Sequence, residues 1–218
     1  MALVEETWRG LAADIGASGE KATEWWTKLV QAYSEDRRKF HNINYLAIKL
    51  ENYETIKCKL KNRSAVGIAI FFHHFEYDPK MVDCFKKNLE HFDNFANDCG
   101  ITSDSDLYKS VVDLLESVDT HSTDEHKTDG VYGADDCHYF LDLDMVILGS
   151  DAEYYATEYA TNIQAEYDFL PDTMYKGLRL KVLQSFLQIP NIFATKEFRE
   201  KYEQKARANI QKEVEKLK

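Results

Sequence analysis

Apolar residues recur along this chain at spacings of three and four. Trp25, Leu29 and Tyr33 fall on one face of a helix predicted over 21–33, and residues 5–15 carry a similar stripe. A further helix is predicted over 42–60. Residues 65–72 are apolar on every side, which suits a buried central helix; a buried strand fits the same run, because periodicity does not separate the two. Helices are also predicted over 89–97 and 104–117. The stretch 119–136, rich in Asp, Thr, Ser, His and Gly, reads as a loop. Residues 139–148 return to a helical pattern, with Gly149 as the expected C-cap. Ser150 and Asp151 open the next helix, running through Tyr167. Pro171 and Asp172 open another that ends near Pro190, and Thr195 is placed to cap the last.

Three prolines and nine glycines favour long helices with short turns over a many-turned β fold. No internal repeat, low-complexity linker or break in composition divides the chain. The expectation is all-α, a single helical domain over 1–218. With 218 residues, 44% of them hydrophobic, the chain can bury a substantial core.

A net charge of −11 argues against nucleic acid as a partner, since a phosphate backbone would be repelled on average. It leaves room for a local cationic pocket that takes a small anion. The four cysteines, Cys58, Cys84, Cys99 and Cys137, form no C-x-x-C pair, so free thiols in a reducing compartment are expected. The opening MALVEETWRG has no cationic start followed by an apolar core, and no apolar run approaches the ~18 residues of a membrane span. A cytoplasmic location without membrane partner follows as the expectation. Oligomeric state is not legible, because an apolar helix stripe serves core and interface alike.

Two fragments carry candidate chemistry. In AIFFHHFEYDPK, residues 69–80, His73 and His74 follow an apolar run. Polar groups at the end of a buried helix need partners, or each costs ~1–3 kcal/mol. A metal would satisfy both rings, and so would ordinary hydrogen bonds. In FLDLDMVILG, residues 140–149, Asp142 and Asp144 stand among aliphatic side chains and need pairing, coordination or capping in the same way. Histidine with carboxylate suits Zn, Fe, Mn or Co. His91 and His138 read as surface or hydrogen-bonded core residues, and His126 lies inside the predicted loop.

Several segments in order resemble the predicted metal-dependent phosphohydrolases of the HD superfamily. YSEDRRKFHN, residues 33–42, is similar to that family's Y-S-E-x-x-R-x-Y-H-N. AIFFHHFEYDP is similar to A-I-W-F-H-D-x-x-Y-D-P, and FLDLDMVILG to F-L-D-A-D-L-x-I-L-G. Gln164 to Tyr167, Gly177 to Arg179, Leu183 to Leu187, Ile192 to Thr195 and Ala206 to Asn209 with Glu213 continue the match. The resemblance implies a helical domain holding a divalent transition metal and hydrolysing a small phosphorylated metabolite or nucleotide. It assigns metal ligation to His41, His73, His74 and a late acid, Asp144 in preference to Asp142, with His121 as the downstream histidine. Arg38, Arg179 and Arg207 stand at family positions suited to an anionic substrate, and Tyr45 lies at the edge of the same expected site.

Three departures fall on the chemistry. The family's His-Asp doublet is His73-His74 here, Tyr45 takes the place of the second histidine of the first motif, and the family's Asn-Glu pair appears as Asn88-Leu89 with Glu90 one position later. A neutral imidazole cannot replace an anionic bridge between two ions. Two functions therefore follow: an active metal-dependent phosphohydrolase, or an inactive relative that binds a small ligand or partner. A third, oxidative chemistry on iron, lacks the bridging acid.

Overall fold

The computed structural model describes residues 1–81, 83–118 and 122–218. The protein is all-α. Among the described residues there is no strand, only an isolated bridge between Gly133 and Thr195. The chain divides into two compact units, Met1–Asp119 and Thr120–Lys218, and the division falls inside the stretch whose composition reads as a loop.

The first unit is built on α1 (Ala2–Asp14), α2 (Gly19–Tyr33), α3 (Ile43–Ile56), α4 (Arg63–His73), α5 (Cys84–Asp98) and α6 (Asp106–Ser117). Side chains cap the starts as the sequence signals: Ser18 accepts from the Lys21 amide, Asn62 from Ala65 and Ser105 from Tyr108. The apolar run is a helix, α4, buried from Ala65 to His73 and packed against α1, α3, α5 and α6. At its centre Gly67 lets α1 approach, since a Cβ there would meet Leu11 at 2.7 Å. Aromatic rings fill the surroundings: Phe72 contacts Trp8, Trp25, Phe92 and Phe95 at centroid distances of 5.2–6.5 Å.

The second unit holds a short turn, α7 (Asp124–Lys127), then α8 (Asp136–Met145) and a 3₁₀ turn at Val146–Gly149. A continuous rod follows: α9 (Ala152–Tyr154), a π-helical turn at Tyr155–Ala160 and α10 (Thr161–Glu166). The unit ends with α11 (Asp172–Gln188) and α12 (Lys196–Leu217). Thr195 caps α12, its hydroxyl accepting from the Phe198 amide. Gly149 is not the left-handed C-cap expected from the sequence; its φ is not positive. It is needed because α12 lies against the 3₁₀ turn, where a Cβ would meet Tyr202 at 2.6 Å.

All four cysteines are free thiols. Among the described residues, no helix is long and apolar enough to cross a membrane.

Candidate functional site

In the first unit, the C-terminal end of α4 meets the segment between α2 and α3. His73 is the last residue of α4 and is 9% exposed; His74 is its C-cap. His41 precedes Asn42, whose side chain caps α3 by accepting from the Asn44 amide. The His73 and His74 rings lie 3.9 Å apart between centroids, and His41 is 4.8 Å from His74. Tyr77 stacks on His41 at 4.0 Å, and Tyr45 lies 5.5 Å from His41 and 6.1 Å from His74. Of the residues singled out in the sequence, His41, Tyr45, His73 and His74 are thus brought together.

Two clasps fix this arrangement. Arg38, with a side chain only 1% exposed, donates to the backbone carbonyls of His74 and Phe75 at 2.6 Å, to that of His41 at 3.3 Å, and to Glu35. It ties the His41 segment to the end of α4, where a cation also meets the negative end of the helix dipole. Asn88 donates to the His73 carbonyl at 2.7 Å and to that of Glu76, and accepts from the Glu76 amide. Asn88 therefore acts as a latch on the end of α4.

The residue that the sequence reading missed is Lys49. It is 2% exposed, and its Nζ lies 3.4 Å from His73 Nδ1 and 3.3 Å from His74 Nδ1, with the ring of Tyr45 beneath it at 4.8 Å. A signal was present. Tyr45, Leu46, Lys49, Leu50 and Tyr53 repeat at helical spacing, and all five form the buried face of α3.

An ammonium carries donors only, so each Nδ1 must accept from it. With Lys49 charged, both rings carry their proton on Nε2. Burial, first of all, and then the charges of His73, Lys49, His41 and Arg38 hold the His74 ring well below the usual histidine pKa, so it is neutral at physiological pH.

His73 and His74 belong to a possible metal-binding group. A neutral imidazole has one lone pair, however, and in both rings it is directed at Lys49. Charge adds to this: at an effective dielectric of ~20, a divalent ion ~4 Å from an ammonium is repelled by about 8 kcal/mol. The residues as they stand do not fit a divalent ion on these two rings.

The second unit holds other site residues predicted from sequence. Asp142, fully buried in α8, accepts from the amides of Ala194 and Thr195 at 2.8 Å and from the Thr195 hydroxyl at 2.6 Å, which pins the chain ahead of α12. Burial pushes its carboxyl up to about 7 against the pull of these donors. Asp144, one residue from the end of α8, is half-buried in the second unit. His121 lies outside the described residues.

Arg179 pairs with Glu213 through Nε and Nη2 at 2.8 and 3.1 Å, both side chains being 8% exposed. Arg207 donates to Glu203 and to the carbonyls of Ile189 and Pro190, closing the end of α11. None of Arg38, Arg179 and Arg207 presents its guanidinium as an open anion site. His126 and His138 serve as caps: each Nδ1 accepts, at 3.0 Å, the amide of the residue three before it, Thr123 and Asp135.

Comparison with protein-family models, curated proteins and solved structures yields no match. The fold and the site define the class: an all-α protein with a buried lysine bridging two adjacent histidines at the end of its most apolar helix.

Proposed function

We propose that this protein is an HD-domain-like helical protein whose histidine cluster binds a small phosphorylated molecule without hydrolysing it. One observation carries the reading. Where the resembled family places the carboxylate of its doublet, this chain has His74, a ring held neutral, with Lys49 as the cation beside it. A cluster of that charge attracts a phosphoryl group and lacks the doublet's anion for activating a water on a metal. His41 and His74 are half-buried rather than fully enclosed. The ligand class comes from the resemblance.

Calorimetric titration with nucleotides and sugar phosphates, in the presence of a chelator, tests this. The expected result is saturable binding with no release of inorganic phosphate. His74→Asp, which puts an anion into the cluster, should weaken binding at least about tenfold. Binding indifferent to His74→Asp, or turnover, contradicts the reading.

A second reading is a metal-dependent phosphohydrolase, with His41, His73, His74 and Asp144 as the ligands assigned by the resemblance. It is favoured by the membership of His73 and His74 in a possible metal-binding group. Metal-stimulated phosphate release that His73→Ala abolishes would establish it.

A further inference from the structure

We infer that Lys49 is the resident cation of this cluster: its ammonium, bonded to Nδ1 of both His73 and His74, takes the place of a metal ion and keeps divalent metals out. The inference rests on reading the cluster as an HD-like site, and it names what has become of the metal there.

Three features support it. First, the two contacts are nearly equal, 3.4 and 3.3 Å, so one ammonium serves both rings as a bridging ion would. Second, the position is built into the core. Lys49 lies on the buried face of α3 between Tyr45 and Tyr53, and the Tyr45 ring faces its ammonium at 4.8 Å. A lysine so enclosed loses the freedom of its four-carbon chain, and moving it aside for an incoming ion would leave its charge in an apolar core. Third, the backbone that carries the rings is held from outside the cluster: Asn88 bonds the His73 carbonyl and Arg38 the His74 carbonyl, so the doublet cannot move away from Lys49 as a segment.

A covalently attached cation differs from a metal in ways that matter for function. It is always present and cannot be chelated away. It has donors but no vacant orbital, so it can hold an anionic oxygen yet cannot acidify a bound water as a Lewis acid does. The chain therefore keeps the attraction for an anion and gives up the metal's chemistry.

Cobalt(II) titration followed by visible absorption, with dialysis and elemental analysis, tests the inference on the full-length protein and on Lys49→Met, with circular dichroism melts to confirm folding. Wild type should show no histidine-ligated cobalt band. Lys49→Met, which keeps the length of the side chain and frees both Nδ1 atoms, should bind at least about 100-fold more tightly. Lys49→Gln serves in parallel should Lys49→Met not fold. In either background, adding His73→Ala should remove the gained site.

Wild type binding one equivalent of cobalt that His73→Ala abolishes overturns the inference whatever the variants do. So does a folded Lys49 variant with no gain. The outcomes are separable from those of the ligand-binding reading: metal gained by the variant, with no phosphorylated compound bound by wild type, sinks that reading and leaves this one standing. Phosphorylated ligands bound by wild type, with no metal gained, do the reverse.

Discussion

At the scale of residues, the side chains that look most chemical in the sequence are mostly holding backbone. Arg38 closes the end of α4 and Arg207 the end of α11, each by donating to terminal carbonyls. His126 and His138 take the place that Glu or Gln fills in an ordinary capping box. The spacing of a cap is present in the sequence, since Thr123 and Asp135 stand three residues before them. Lys49 was harder to see: a lysine inside an apolar stripe reads as one that reaches to solvent, and only packing decides otherwise.

His126 also gives a pH prediction. Burial, the leading cause, lowers its pKa from 6.5 to about 4, so the folded state holds the ring neutral and the unfolded state protonates it first. Its contribution is complete above pH ~6.5 and is lost as pH falls toward 4, amounting to about 3 kcal/mol at most. Asp142, whose Oδ1 lies 3.9 Å from His126 Nε2 and whose pKa is raised to about 7, slopes the other way across that window. Only a difference isolates the histidine. His126→Asn keeps an acceptor for the Thr123 amide but does not titrate. Urea unfolding from pH 7 to 4 should show wild type losing more stability than the variant by up to that amount; parallel curves would refute the assignment.

At the scale of elements, pattern and period were enough for most of the fold. The apolar run that pattern alone left open between helix and strand is the helix α4, and α11 starts and stops at its prolines. The π-helical turn at Tyr155–Ala160 could not be read in advance, since it depends on what lies beneath it. That support is the buried Arg179–Glu213 pair. Tyr155 donates its hydroxyl to Glu213 at 2.5 Å, and Arg179 lies 5.0 Å from the Tyr159 ring. One ion pair thus joins α11, α12 and the π turn. Arg179→Met would strand a buried carboxylate, at a cost of about 3–5 kcal/mol. A pronounced fall in the thermal midpoint is expected, partly recovered by Arg179→Met with Glu213→Gln; a midpoint within a degree or two of wild type would show that the pair holds nothing together.

At the scale of the whole molecule, the two units meet in sequence within the polar stretch that composition marks as a loop, although no linker announces a boundary there. The net charge of −11 and the local positive charge beside His74 coexist because they act over different ranges. At physiological salt a charge is screened beyond ~8 Å, so a small anion at the cluster responds chiefly to Lys49. The candidate site was half legible. His41, Tyr45, His73 and His74 converge as their motifs suggested, whereas the cation that fills the cluster comes from a position no motif marked.

The central claim is that one lysine occupies both Nδ1 lone pairs of the histidine doublet. Long-range proton–nitrogen correlation spectra of the imidazoles, recorded at neutral pH with and without excess zinc, address it directly. The account predicts His73 and His74 as Nε2–H tautomers with unprotonated, hydrogen-bonded Nδ1 atoms, and no change when zinc is added. An Nδ1–H tautomer on either ring, or a zinc-dependent shift of both, would contradict it.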